Sequence, residues 1–438
     1  MFRELAKVPG IEVKVFYCCD WGVKPTFDPG FSKEFAWDVP LLEGYNHEFI
    51  PIPRRPTKLT FRQVDNPALP DRLAQFRPHA LWVHGYGHRS YWRAVRWAKG
   101  RSVVIYFGDS ELLQHRSWYK RVAKQFVLRR FFQQCQAFIT IGDNNESYYA
   151  HYGVPRQKMF RGAYPVDVKR FAKALADPAR PDRTEIRRRF QLPEDAVVAV
   201  FAAKLIPRKR PQDLIEAVTH LRRRGVPIGA LMVGDGELRG HLEAQVEQRK
   251  LSDIVRFAGF INQHQIPVVL DCADILAITS ELDPHPLAVS ESLIVGHPIV
   301  ASDRIGCVGI SDSARPGVNA LVYPCGDSLA LADCLERLVS DHALRASMGK
   351  ASRDLAPSQD MDTAVAAVLR ALFSLRPKFD QLWSDIDASA WKSITEHLRG
   401  LVAQGAAPSG SILASAHTTA EMIHGHRSHN WWRRLLYR

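Results

Sequence analysis

A three-step cycle recurs along most of the chain: a short apolar run, a loop of glycine and small polar residues, then a segment of helical period. It occurs at Ala80 to Val83, at Ser102 to Phe107 and at Ala137 to Ile141. A stretch rich in Pro, Arg and Asp between Tyr164 and Pro193 interrupts it. The cycle resumes at Val197 to Phe201 and continues at Gly229 to Val233, Val255 to Phe257, Ile275 to Ile278 and Ile299 to Ser302. Strands separated by helices are joined by crossovers rather than tight turns, so their sheets are parallel. The reading is α/β, with two Rossmann-like doubly wound domains facing each other across a cleft. Residues 1–175 form the first domain, 176–195 a linker and 196–357 the second. Residues 358–400 read as helices returning to the first domain, and 401–438 as a basic, unstructured tail. Open parallel sheets bind ligands beyond the carboxyl ends of their strands, so the cleft is where chemistry is expected.

Composition narrows the partners. Hydrophobic residues make up 46% and charged residues 24% of the 438, which excludes a disordered or fibrous chain. No run approaches the ~18 apolar residues of a membrane span. No secretory signal is visible, and seven cysteines without a Cys-x-x-Cys pair fit neither a disulfide framework nor a zinc ribbon. A cytoplasmic setting is expected. The net charge of +13 asks for an acidic partner: nucleic acid, anionic lipid or a phosphorylated small molecule.

Three segments of the second half carry candidate chemistry. In residues 201–211, FAAKLIPRKRP, Lys204, Arg208, Lys209 and Arg210 precede a helix opened by Pro211. Cations oppose the dipole at a helix N-terminus, and a phosphate held by Lys204 and Lys209 would remove the conflict. A solvated basic loop is the plainer alternative. In residues 231–243, Gly234 and Gly236 flank Asp235 in a strand-to-helix turn; the third glycine of a dinucleotide fingerprint is missing. In residues 279–306 a loop carries Asp283, Pro284, His285 and Pro286, and a helix bearing Glu291 follows, closed by Gly296. Glu291 can face ligand hydroxyls, and the free amides at the helix start can face phosphate or sugar. Alternatively Asp283 is a helix N-cap and Glu291 an exposed helix residue.

Taken together, these segments resemble the retaining family-4 glycosyltransferases of GT-B architecture. The shared signature is a carboxylate, seven residues, then Glu, here Asp283-Pro-His-Pro-Leu-Ala-Val-Ser-Glu291, followed by Gly296-His-Pro-Ile-Val-Ala-Ser. Lys204 and Lys209, Gly234-Asp235-Gly236, Phe257-Ala-Gly259 and Pro316-Gly317-Val-Asn319-Ala-Leu-Val-Tyr-Pro match as well. The resemblance is strong over residues 195–355 and weaker in the N-terminal half. It implies a donor nucleotide-diphosphate sugar whose diphosphate is held by Lys204 and Lys209 in a pocket that includes Gly234. Glu291 would bind the ribose hydroxyls, and the base would lie near Phe260. Asp283 would stand at the donor-sugar end, with backbone amides of Leu287 and Ala288. It implies transfer with retention, no cofactor and no metal site.

Two departures stand out. The first carboxylate of the signature is usually Glu and here is Asp283, one methylene shorter. Phe2, Leu5 and Ala6 share a helical face ending at Gly10, whereas such a domain should open with a strand and a Gly-rich loop. That strand is expected upstream of Met1. On the acceptor side, His84 and Asp109 follow two successive strands and are candidates to orient the acceptor hydroxyl or accept its proton. A nucleotide-sugar epimerase and a catalytically impaired glycosyltransferase-like binding protein are the competing readings; no recognised module supports nucleic acid as partner.

One further segment stands apart. From Leu112 to Gly142 there is no acidic residue, while Arg116, Lys120, Arg121, Lys124, Arg129 and Arg130 are interleaved with Trp118, Tyr119, Phe126, Phe131 and Phe132. The chain finishes in Trp431-Trp432-Arg433-Arg434. Both suit an anionic membrane surface at the cytoplasmic face and hence a lipid-linked or cell-envelope sugar acceptor. A core helix with its aromatic residues on the sheet is the alternative.

Overall fold

The computed structural model describes residues 1–54, 56–114, 117–383 and 386–406. The expectations for Arg116, for residues 407–438 and hence for Trp431, Trp432, Arg433 and Arg434 lie outside them.

The second domain has the strands β9 (Val197–Ala202), β10 (Ile228–Val233), β11 (Val255–Gly259), β12 (Ile275–Ile278), β13 (Ile299–Ser302) and β14 (Ala320–Tyr323), numbered after eight in the first domain. All are parallel, in the order β11-β10-β9-β12-β13-β14. The near-continuous apolar sequence of these strands follows from burial on both faces. Side chains alternate along a strand, so Val198, Val200, Leu231, Leu276 and Ile278 feed one core. Ala199, Phe201, Ala230, Met232, Ile275 and Ala277 feed the other. The chain winds outward from β9 to β11, then returns to lay β12 on the opposite side of β9. That reversal is a topological switch point, and the loops after β9 and β12 flank a crevice there.

The first domain contains β1 (Lys14–Tyr17), β2 (Thr26–Asp28), β3 (Lys33–Phe35), β4 (Asn46–Phe49), β5 (Ala80–His84), β6 (Val103–Phe107), β7 (Ala137–Thr140) and β8 (Met159–Arg161). Strands β5 to β8 form one parallel sheet in sequential order, β1 and β4 a separate parallel pair, and β2 and β3 an antiparallel hairpin. One face of the four-stranded sheet is covered by the Phe2–Ala6 helix and by helices Met361–Ser374 and Ala388–Ala403, through Leu5, Val365, Leu369, Trp391 and Ile394. The other is covered by Leu128, Phe131, Phe132, Tyr148 and Tyr149. The α/β class with two doubly wound domains therefore holds.

Two boundaries differ from the sequence reading. Helices Val168–Ala176 and Arg183–Arg189, assigned to the first domain and the linker, belong to the second domain's packing: Phe171, Ile186 and Leu192 lie in its core. Arg187 anchors the second helix by an ion pair with Asp274 at 2.7 Å. The supposed tail begins later than residue 401, because the last helix runs to Ala403 with Leu401 buried. On one side of the cleft the domains are tied by Asp143, whose amide donates to Asp312 at 2.7 Å, and by Asn144, whose Nδ2 donates to the carbonyls of Gly306 and Val308.

Candidate functional site

At the switch point the loop after β9 brings Lys209 onto Asp283 from the loop after β12. Their contact is direct and nearly enclosed, with 11% of each side chain exposed. Burial pulls the Lys209 ammonium below its ordinary pKa, and the charge and hydrogen bond of Asp283 offset this only in part. The two loops are also pinned by Thr279, whose hydroxyl donates to the carbonyls of Lys209 and Arg210 at 2.8 and 2.9 Å. Arg210 turns away to fork onto Asp213 at 2.7 and 3.0 Å. Asp283 is thus a partner of Lys209 and not a helix cap: the residue ahead of the Leu287–Val295 helix is Pro286, and no side chain caps that end. The first turn there belongs to Leu287, exposed, and Ala288, buried.

Glu291, one turn further in, is buried rather than exposed. Burial pushes its carboxyl up to about 7, against the pull of the Arg170 guanidinium and a hydrogen bond with Gln263. Arg170 itself forks onto Gln263, its guanidinium donating to the carbonyl and Oε1 at 2.5 and 2.9 Å.

From the first domain comes Asp109, on a loop fixed by Asn145 and Tyr149, which donate to the Gly108 carbonyl at 2.9 and 2.7 Å. Burial, then the charges of Asp283 and Glu111, raise the Asp109 pKa. Burial, then the charges of Asp109 and Asp283, raise the pKa of Tyr164, whose ring is stacked on His285 at 5.1 Å. Burial lowers His285 to about 3, so this ring is neutral at physiological pH. His84 does not join the group. Its ring packs among Phe2, Trp82 and Phe107, and its buried Nε2 has no hydrogen-bond partner.

Lys204 and Gly234 form a second group. Gly234 and Gly236 have φ of +137° and +156°, and a Cβ on either would fall 1.9 or 2.5 Å from a carbonyl oxygen of the Lys204 loop. The glycines are needed because the two loops touch backbone to backbone. Onto this group folds the β2–β3 hairpin of the first domain. Lys204 Nζ lies 2.8 Å from both oxygens of Asp28 and 4.5 Å from the centre of the Phe31 ring. Phe31, Phe35 and Trp37 surround Phe260 with ring centres 5.0, 4.6 and 6.3 Å away. Asn262 Nδ2 donates to the Ala36 carbonyl and the His264 amide to Asp38. The sequence reading missed Asp28, Phe31, Phe35 and Trp37. A signal existed: Asp28-Pro29-Gly30 is turn chemistry between two short runs with aromatic residues.

The structure therefore brings Lys209, Asp283, Asp109, Tyr164 and His285 to one side of the crevice. It sets Lys204, Gly234 and Phe260 under the hairpin, with Glu291 enclosed beside Arg170 and leaves His84 apart. Cations and helix amides at a switch point suit an anionic ligand, and buried carboxylates beside them suit hydroxyl groups.

Comparison with known proteins points the same way. The pattern described as Glycosyl transferases group 1 matches residues 182–355, and that described as Glycosyltransferase Family 4 matches residues 1–170. The chain is 28% identical over 168 residues to the alpha-D-kanosaminyltransferase of Streptomyces kanamyceticus, covering 38% of this chain and 42% of that one. It is 29% identical over 191 residues to the lipopolysaccharide core biosynthesis glycosyltransferase LpsE of Rhizobium meliloti, covering 44% and 54%. The matched stretch thus spans about half the length of these relatives. The fold is similar to that of Anabaena HepE, solved with UDP, at a TM-score of 0.59 and 18% identity over 76% of this chain and 87% of that one.

Proposed function

Because the chain belongs to the group 1 and family 4 glycosyltransferases of GT-B architecture, we propose that it transfers a sugar, with retention, from a nucleotide-diphosphate sugar to an acceptor hydroxyl. The observation that carries this reading is the enclosed Lys209–Asp283 pair at the switch point. Breaking the bond from the anomeric carbon to the diphosphate leaves negative charge on the departing oxygen. A fixed cation in a site shielded from water stabilises that charge more than a solvated one would. Lys209 takes this role, with the amides of Leu287 and Ala288 beside it and Lys204 on the same diphosphate. The acceptor oxygen bonds to the anomeric carbon on the face the diphosphate leaves, and its proton passes to the departing phosphate oxygen. Asp109, close to Asp283, orients the acceptor hydroxyl. Glu291 holds the ribose hydroxyls, with Gln263 and Arg170 fixing its carboxylate, and the base lies near Phe260.

The acceptor belongs to cell-surface polysaccharide or glycolipid synthesis, which the Rhizobium relative's name supports. The Trp118–Phe132 helix presents Trp118, Tyr119, Val122, Phe126 and Val127 to solvent beside Lys120, Arg121 and Arg130. Apolar and cationic groups on one exposed helix suit an anionic lipid surface, and its occupant is a bilayer at the cytoplasmic face. Among the described residues no helix is long and apolar enough to cross a membrane.

Titration calorimetry tests the donor site. Lys209→Ala truncates a phosphate contact and Glu291→Ala a ribose contact, each worth about 1.5–3 kcal/mol for bonds to charged groups. If both variants bind nucleoside diphosphates as the parent does, the reading is wrong.

A further inference from the structure

The β2–β3 hairpin raises a question that the donor reading does not answer. It comes from the first domain, yet its tip lies inside the second domain's pocket. The Gly30 carbonyl is 3.0 Å from where a Cβ of Gly236 would stand, and Lys204 passes beneath the turn. The Asp28 carboxylate is saturated as a bound phosphate would be. Its Oδ1 accepts from the amides of Gly30 and Phe31 at 2.7 and 3.1 Å and from Lys204 at 2.8 Å, and its Oδ2 accepts from Lys204 as well. Burial disfavours the ionised carboxylate, but the hydrogen bond and charge of Lys204 and the two amides outweigh it and hold its pKa below the ordinary range. Phe31 and Phe35 of the hairpin, and Trp37 just beyond it, meanwhile occupy the surface of Phe260.

We propose that Asp28 is a built-in stand-in for the donor's phosphate: the hairpin fills the donor pocket when no nucleotide is bound, and Lys204 exchanges the Asp28 carboxylate for the diphosphate. This rests on the donor reading above, since it needs the diphosphate at Lys204. Three features make the exchange feasible. The pair is about a quarter exposed on each side, 28% for Lys204 and 27% for Asp28, so water and salt weaken it. The strands of the hairpin are three residues each, too short to be stable without a docking surface. Phe27, in the middle of the first of these strands, is 58% exposed, so it adds little buried area to hold the hairpin down. A ligand carrying two phosphates brings more charge to Lys204 than one carboxylate does, so a diphosphate can displace the hairpin.

Calorimetry with uridine and guanosine diphosphates and monophosphates on the full chain tests this, alongside amide hydrogen exchange of residues 20–38. Asp28→Asn and, independently, Phe31→Ala should tighten diphosphate binding by about two- to fivefold, the range expected for losing a partly exposed pair. Monophosphate binding should tighten by the same factor, because one closed arrangement of the hairpin competes with either ligand. In the parent protein, adding diphosphate should speed exchange in residues 20–38. Slower exchange there, or weaker binding by Asp28→Asn, would show instead that the hairpin clasps the nucleotide, and the proposal would fall. If Lys209→Ala and Glu291→Ala lose binding while Asp28→Asn and Phe31→Ala match the parent, only the exchange falls and the donor reading stands. Absence of nucleotide binding by the parent and all four variants overturns both.

Discussion

In the second domain six parallel strands run unbroken from β11 to β14, and β10 and β12 are buried along their whole length. In the first domain the strands are divided among a four-stranded sheet, a two-stranded pair and a hairpin, and no residue of β1 is fully buried. The two domains repeat one architectural unit, but they differ in what each element depends on. Every strand of the second domain is held by its own domain's cores. The first domain's hairpin is held by the other domain, and the residues Trp118 to Ala123 that open its basic helix are exposed to solvent. The difference separates a self-contained platform, which fixes cations and carboxylates at the switch point, from segments that are docked onto it or turned to solvent.

The two lysines of the site offer the strongest test of that contrast. Lys209 and Asp283 both belong to the platform and are enclosed, whereas Lys204 meets Asp28 across the domains in partial contact with water. Lys209→Met strands a buried carboxylate and should cost about 3–5 kcal/mol of stability, as other broken buried pairs do. Lys204→Met should cost less than about 1 kcal/mol. Urea denaturation of both variants measures the difference. Equal losses would mean that the hairpin contact is as much a part of the platform as the Lys209 pair.

A smaller effect is expected where the first domain faces outward. Replacing Trp118 and Phe126, 75% and 72% exposed, by Ser removes apolar area from the basic helix without touching Phe131 and Phe132 in the core. Folding should be unaffected, while recovery with anionic vesicles should fall by roughly tenfold, about 1.4 kcal/mol, a fraction of the burial value of two aromatic side chains. Flotation with neutral and anionic vesicles at low and high salt reads it. Equal recovery of the parent with both vesicle types would remove the membrane from the comparison.

The same division explains what could be read from the chain. The second domain was legible because its strands feed two cores with alternate residues, leaving apolar runs such as Val197 to Phe201 in plain view. Its loop residues were legible because glycines, lysines and carboxylates stand at fixed distances from strand ends. The fold class followed from that alternation. What sequence spacing could not carry were contacts set by tertiary placement. Asp28 meets Lys204 at a separation of 176 residues. Asp283 satisfies Lys209 and caps no helix, and Phe171 fills the second domain's core although it precedes the supposed linker. In the Trp118–Phe132 helix, Leu128, Phe131 and Phe132 serve the core while Trp118 to Ala123 are exposed. Nothing in its amino-acid order says where the sheet it covers comes to an end.

The smallest contrast concerns protons. Glu291 sits in the platform with its carboxyl raised to about 7 from an ordinary 4.5, mainly by burial. A group raised in the folded state binds its proton more tightly there than when unfolded. Its contribution to stability is full below the unfolded value, declines as pH rises from about 4.5, and is gone above the folded value near 7. Asp28 runs the other way. Its folded pKa is depressed, so its contribution is present above the unfolded value of 3.8 and is lost only as pH falls through the folded one. Between pH 5 and 7 the two must therefore separate. The parent's own slope is mixed, because Asp312, raised to about 6, adds to the Glu291 trend. His84 and His297, lowered to about 4 by burial, oppose it. The difference between parent and variant isolates each group. Relative to the parent, Glu291→Gln should gain stability across that window at up to about 1.4 kcal/mol per pH unit, the limit for one proton. Asp28→Asn should show an offset from the parent that does not change with pH there. Urea midpoints at four pH values suffice, and a flat difference for Glu291→Gln would place its carboxylate in water with the docked segments instead of inside the platform.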